Sequence, residues 1–358
     1  MMRILFIGET WQGSSARSLR EALSGQDGMT VRDIGEDTFI PAHRHFPLRA
    51  ANRVLRRFQR HELERAILLA TGEFKPDAVV VYKGTHISAA LVSQIQTLGS
   101  AVVNVFPDYS PHAYGAQLHD ALGMYDLAIS TKPFHPPLWG AEYGYRNRCV
   151  FVPHGYDPSV HYWHSPPTSH VYDVALCSTW RPEYHRLMRK FAEVLDDRGV
   201  SVAIAGSGWS DHTDDLPAHW QVFGARSGRS YGEFVRSAKI AIAPVNRTVV
   251  INGIEQHGDE DTTRTYELAA AHCFFLHQRT DYVSTIYDEH TEVPFWNDGS
   301  ELALLVRRWL ADPAGRRAMA GRAHTRAVPA YSIPQRALSV RRHVEALIET
   351  RAPAGMSR

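Results

Sequence analysis

Short apolar runs alternate with amphipathic stretches along the whole 358-residue chain. Arg3 to Ile7 reads as a first buried strand, and Ser15 to Leu23 then puts Leu19 and Leu23 on one helical face. Thr30 to Ile34 predicts a second strand, and Leu48 to Leu69 a long helix. Asp77 to Tyr82 is an Ala/Val run with an aromatic end, the mark of a strand covered on both faces. Ala89 to Leu98 reads as a helix; Ala101 to Phe106, Leu127 to Ser130 and Val150 to Val152 read as strands. The second half repeats the theme, with strands at Asp173 to Cys177, Val202 to Ala205, Ile240 to Ala243 and Cys273 to Leu276. Its helices are expected over Pro182 to Asp197, Tyr231 to Ser237, Thr263 to Ala271 and Glu301 to Leu310. Such alternation predicts an α/β fold with two doubly wound, Rossmann-like parallel sheets.

The Pro- and Ser-rich stretch between Pro153 and Pro167 is the candidate hinge. The expected domains are residues 1–153 and 154–330. A helix over 331–350 is expected to cross back to the first domain, and 351–358 to be a disordered tail.

Composition is that of a globular protein, with 44% hydrophobic and 22% charged residues. A net charge of +1 gives no overall electrostatic case for nucleic acid or an anionic membrane. The Arg-rich segment carrying Arg49, Arg53, Arg56, Arg57, Arg60 and Arg65 also holds Glu62 and Glu64, and reads as a solvated helix face. Cys149, Cys177 and Cys273 sit at or inside apolar runs without a CxxC pair, as reduced core thiols do. No run approaches the ~18 apolar residues of a membrane span, and the expected compartment is cytoplasmic. His112, His119 and His135 are spaced too irregularly for a metal motif, and no metal is expected.

No P-loop, no GxGxxG opening a helix, no GxSxG elbow and no HExxH helix occurs. Candidate chemistry lies instead in segments that follow strands. Asp259 to Ala271 crowds acidic and Thr residues before an Ala-rich helix, with Asp261 as the expected N-cap. Free amides near Thr262 and Thr263, with the helix dipole, favour a phosphate there. Arg264 and Glu267 share a face, which equally suits a surface ion pair on a capped helix. Ser178, Thr179 and Arg181 precede Pro182 at a helix start; they suit a diphosphate, or an ordinary loop. In the first half, Gly8, Trp11 and Gly13, then Lys83, then Asp108 and His112, follow strands whose ends should face a ligand. Lys83 and Asp108 could act on a substrate or simply pair with each other.

As an ensemble the chain resembles the CgeB-type (spore-maturation-protein-like) glycosyltransferases of the GT-B group. The resemblance is carried by Lys75-Pro76-Asp77, Tyr82-Lys83-Gly84-Thr85-His86, Val103 to Asp108, Thr131 to His135 and Val152 to Pro158. In the second half it is carried by Thr179-Trp180-Arg181-Pro182, Thr262 to Glu267 and Arg279-Thr280-Asp281. It implies two domains facing a nucleotide-sugar, with the donor held by the second and a small-molecule or glycan acceptor by the first. Glu267 would hold the ribose, amides at Thr262 and Thr263 the diphosphate, and Arg181 its charge. Phe223, in Gln221 to Gly224, would approach the base. Asp259-x7-Glu267 stands where related retaining enzymes carry a pair of glutamates, and His272 where they carry a small Gly. The implied reaction is retaining and needs neither metal nor cofactor beyond the sugar nucleotide; Asp108 as general base would instead fit inversion. A nucleotide-sugar epimerase and a non-catalytic sugar-nucleotide binding module remain as alternatives at this point.

Overall fold

The computed structural model describes residues 1–41, 46–145 and 147–351, with only the backbone for 46–53. The side chains of Arg49 and Arg53, and the expected tail beyond Arg351, lie outside the described residues. The chain divides into two compact units: Met1–Pro153 together with the chain from Ile333 onward, and His154–Ser332.

The first unit runs β1 (Met2–Gly8), α1 (Ser15–Ser24), β2 (Met29–Gly35), α2 (Glu36–Phe39), α3 (Phe46–Phe74), β3 (Ala78–Tyr82) and α4 (Ala89–Thr97). It continues with β4 (Ala101–Phe106), α5 (Ala116–Leu122), β5 (Leu127–Ser130), α6 (His135–Glu142) and β6 (Cys149–Phe151). The strands form one parallel sheet in the order β2-β1-β3-β4-β5-β6. Because side chains alternate along a strand, each strand feeds two cores. Leu5, Ile7, Val79, Val81 and Val102 join Leu63, Ile67 and Leu91 on one face. Ile4, Phe6, Ala78, Val80 and Val103 join Leu19 and Leu23 on the other. Full burial of each large aliphatic contributes about 1.5–3 kcal/mol before entropy is counted. Edge strand β2 exposes Arg32 and Asp33, charges that discourage further pairing.

The second unit runs α7 (Pro158–His161), β7 (Tyr172–Cys177), α8 (Pro182–Leu195), β8 (Val202–Ala205), β9 (Gln221–Phe223), α9 (Arg229–Arg236) and β10 (Ala238–Ala243). A hairpin of β11 (Thr248–Ile251) and β12 (Ile254–His257) follows, then α10 (Thr263–Ala270), β13 (Phe275–Gln278), α11 (Val283–Ile286), β14 (Phe295–Trp296), α12 (Gly299–Leu310) and α13 (Pro313–Ala330). Its main sheet is parallel, in the order β14-β13-β10-β7-β8-β9. Counted from β7, that is the Rossmann order 3-2-1-4-5-6 read from the β9 edge. The two faces differ in bulk. Val174, Leu176, Ile204, Ile240 and Ile242 pack on one side with Met188, Phe191 and Val306. The other side is Ala175, Cys177, Ala203, Ala205, Ala241 and Ala243, against which Tyr231, Phe234, Leu268 and Ala269 sit. Small side chains there let α9 and α10 approach the strands closely.

The last helix, α14 (Ile333–Arg351), belongs to the first unit. Its Ala337, Val340 and Val344 are buried with Ile4, Phe6, Leu19 and Leu23, and Arg341 donates to the Asp27 carbonyl at 2.8 Å. Among the described residues no helix is long and apolar enough to cross a membrane.

Candidate functional site

In an open parallel sheet, the crevice for a ligand lies beyond the carboxyl ends of the strands where the winding reverses. In the second unit that point falls between β7 and β10. Arg264 occupies it. Its guanidinium donates to the Cys177 carbonyl ending β7 at 3.4 Å and to the Pro244 carbonyl just after β10 at 2.9 Å. It also reaches the Tyr184 hydroxyl at 3.4 Å. Burial opposes its charge, but Tyr184, Tyr231, Cys177 and Glu267 outweigh that and hold the guanidinium firmly protonated. The surface Arg–Glu pair that the three-residue spacing allowed is therefore not formed; Arg264 is turned inward instead.

The start of α10 is built by a relay. The Thr262 amide donates to Thr265 Oγ1 at 3.1 Å, and Thr265 Oγ1 lies 2.8 Å from His277 Nε2. His277 Nδ1 stands 2.6 Å from the Gln278 carbonyl, an acceptor only, so Nδ1 carries the proton and Nε2 accepts from Thr265. Complete burial pushes His277 down to about 4, which keeps it neutral. Thr262, not Asp261, is the N-cap. Asp261 is buried, and its Oδ2 accepts from the Tyr266 hydroxyl at 2.6 Å, which takes that carboxylate away from the helix amides. Glu260 likewise serves the protein, accepting from the Tyr282 amide at 3.2 Å and standing 2.9 Å from His257 Nε2.

Two of the residues picked from sequence keep a buried polar atom with no partner, Ser178 Oγ and Arg264 Nε, while the Thr262 side chain closes a capping box with Thr265. Buried polar groups are paired in the great majority of cases, and these two lie together at the carboxyl end of β7, where Arg264 also bonds the Cys177 carbonyl. The loop that carries Ser178 is pinned to its neighbour. A Cβ on Gly206 (φ +154°) would fall 1.7 Å from the Ser178 carbonyl, which also accepts from Trp209 Nε1 at 2.8 Å. Arg181 is the N-cap of α8 with Pro182 behind it, and its charge, with those of Arg264 and Asp259, is felt by the Tyr184 hydroxyl. Thr179 is exposed and Thr263 partly buried at the first position of α10. Phe223 ends β9 but packs edge-on against Tyr172 and Phe234, with Arg226 5.7 Å from its ring centre.

Glu267 lies one turn into α10, largely buried, with His161 Nε2 3.6 Å from its carboxylate. Tyr231 packs edge-on against His161, and burial followed by the Glu267 charge holds its hydroxyl well above the usual range. His161, Tyr184 and Tyr231 were missed by sequence reasoning. Tyr184 sits within the Arg181 segment and could have been found there; Tyr231 has no local signal.

In the first unit the winding reverses between β1 and β3. Gly8 ends β1, with Ala16 and Tyr82 crowding the place of a Cβ at 3.1 Å. Trp11 is half exposed and donates to Glu9 at 2.8 Å; Gly13 (φ +97°) precedes the capping Ser14. Lys83, in the left-handed region at φ +65°, ends β3 and reaches Asp108 after β4 at 2.9 Å. Its ammonium also lies 4.0 Å from the Tyr114 ring centre. Sequence reasoning missed Glu36, which follows β2 at this same sheet edge. It is 7% exposed with Oε1 unpartnered, and burial, with help from Glu9, pushes it up to about 8. His112, on the turn after β4, lies 2.9 Å from Glu142. The three cysteines are buried free thiols, each pushed up to about 12 by burial.

Residues 181–341 match a family model described as glycosyl transferase-like. No curated protein matches the sequence. Among solved structures, Anabaena Alr3699/HepE in complex with UDP is similar, with TM-score 0.67 at 12% identity over 96% of this chain and 100% of that one. Sucrose-phosphate synthase of Thermosynechococcus elongatus gives 0.64 at 12% over 98% and 100%. A UDP-N-acetylglucosamine 2-epimerase structure from Listeria monocytogenes gives 0.59 at 12% over 98% and 97%. The two Rossmann-like parallel-sheet domains are thus those of GT-B structures. At these identities the likeness speaks for the fold alone.

Proposed function

We propose that the chain is a glycosyltransferase that moves a sugar from a nucleoside diphosphate to a hydroxylated acceptor. Among such enzymes the CgeB type is the proposed assignment. The observation that carries this reading is the buried Arg264 guanidinium at the reversal point of the second sheet, beside the capped start of α10 and the unpartnered Ser178 Oγ. On this reading they and the first amides of α10 take the diphosphate, whose charge Arg181 and Arg264 offset as it departs. Glu267 then accepts from the ribose hydroxyls, and Phe223 borders the base. The acceptor binds the first unit near Gly8, Trp11, Gly13 and His112, with its hydroxyl beside Lys83 and Asp108. Transfer is proposed to retain configuration, with no metal at the diphosphate, in the cytoplasm.

UDP, which HepE binds in its complex, is the first nucleotide to try. The test is calorimetry of UDP, GDP and dTDP and their sugars against wild type and Glu267→Ala. Loss of a charge-assisted hydrogen bond should weaken the preferred nucleotide by about 1.5–3 kcal/mol. Equal affinity in the two proteins would remove Glu267 from the ribose. Product analysis decides the class: interconversion of two sugar nucleotides without an acceptor would mark an epimerase, and binding without transfer or slow hydrolysis a binding module.

A further inference from the structure

We propose that His112, His119 and Glu142 form a divalent transition-metal site in the first unit. The sequence gives no hint of it, because the three lie on separate elements. His112 sits on the short turn Pro111–Tyr114 after β4, His119 on α5, and Glu142 at the end of α6. Folding nevertheless brings one ligand atom of each within 4.8 Å of the others.

The spacing suits a small cation. His112 Nε2 is 2.9 Å and His119 Nδ1 3.8 Å from the same Glu142 oxygen. Two ligands held at about 2.0–2.1 Å by tetrahedral zinc stand roughly 3.3–3.4 Å apart. The two separations bracket that value, so shifts of a few tenths of an ångström complete the site. The imidazole rings face each other at 4.5 Å with a 39° tilt. The Tyr143 hydroxyl now lies 2.6 Å from that same His119 Nδ1, so metal uptake requires it to turn away from the ring nitrogen. Two imidazoles and one carboxylate suit zinc, cobalt or nickel; magnesium and calcium prefer oxygen alone.

All three side chains keep between a quarter and two fifths of their surface exposed. One side of the site therefore faces solvent, and leaves a coordination position for water or another oxygen ligand. The metal would also brace the turn carrying Tyr114, whose ring lies under the Lys83 ammonium. It shares His112 with the proposed acceptor region but no residue with the proposed diphosphate site, and its test needs no nucleotide.

The experiment uses full-length protein stripped with a chelator and titrated with cobalt(II) and zinc(II). Wild type should take up one equivalent at micromolar or better affinity, with the visible bands of low-coordinate cobalt. His119→Ala and Glu142→Gln should each weaken uptake at least tenfold, while His290→Ala, at an exposed histidine elsewhere, should leave it unchanged. Zinc should raise the melting temperature of wild type and not that of Glu142→Gln. Uptake only at millimolar metal, or an isotherm unchanged in Glu142→Gln, overturns the site. Glu142→Gln preserves size and shape, so the conclusion does not depend on His119→Ala folding.

Discussion

The two units carry the same kind of sheet edge but hold their cations differently. At the reversal point of the first, Glu9, Glu36 and Asp108 surround a single Lys83, and the main ion pair is internal. At that of the second, Arg264 is held by two backbone carbonyls and the Tyr184 hydroxyl, with the charges of Arg181, Asp259 and Glu267 nearby. On the proposed reading the first edge receives a hydroxylated acceptor and the second a diphosphate. Fold places the groups; side chains choose the charge.

The largest expected effect tests the acidic edge. Glu36 is held at about 8 by burial, against an ordinary value of 4.5. Between those values the unfolded chain releases the proton while the folded chain keeps it, so stability falls as pH rises from about 4.5 to about 8. Glu36→Gln should lack this slope. Urea melts at pH 5 and pH 8 should show the variant gaining on wild type at the higher pH, with a ceiling of roughly 3.5 kcal/mol. Parallel profiles for the two proteins would mean that Glu36 is solvated.

Next comes the basic edge. Arg264→Ala should weaken the preferred nucleoside diphosphate by about 2–3 kcal/mol, since each lost bond to a charged group is worth ~1.5–3 kcal/mol. Lys83→Ala, the matching change in the first unit, should leave that affinity within about twofold. Comparable losses in both variants would erase the contrast between the edges. A smaller effect is expected from Arg181→Ala: turnover down about tenfold, or ~1.4 kcal/mol, through weaker leaving-group stabilisation. Unaltered turnover at saturating donor would exclude Arg181 from that role.

The smallest concerns His272, which follows α10 in the left-handed region at φ +57°. Gly would relieve the backbone, but the ring stacks on His324 at 4.2 Å. The two contributions oppose each other, so His272→Gly should change stability by less than about 1 kcal/mol. A larger shift in thermal melts would show that one of them dominates.

Buried parallel strands were legible because runs such as Ala78 to Tyr82 have no other home than a covered sheet. The hairpin of β11 and β12 was missed despite its Asn252-Gly253 turn, where both residues have positive φ as a tight hairpin requires. Helix α13 was passed over because its Ala-, Arg- and Gly-rich sequence offers little apolar contrast, although Met319, Ala323 and Ala327 are buried. At the site, spacing alone could locate Thr262, Arg264 and Glu267 on one helix start. It could not show that Arg264 binds the ends of two strands, nor that Tyr266 claims Asp261. Those outcomes depend on partners distant in sequence: Pro244 and Cys177 for Arg264, and for Thr265 the imidazole of His277. Glu36 escaped notice because a glutamate after a strand reads as surface until its burial is known.

Helix α14 makes the first unit a discontinuous stretch of chain, completed by residues that leave the ribosome only after the second unit. Until they emerge, the apolar flank formed by Ile4, Phe6, Leu19 and Leu23 lacks its cover. The intervening unit has no such debt and can finish folding while the other waits. A chain stopped at residue 332 should accordingly yield a protease-resistant core from His154–Ser332 and rapid cleavage within the first 153 residues.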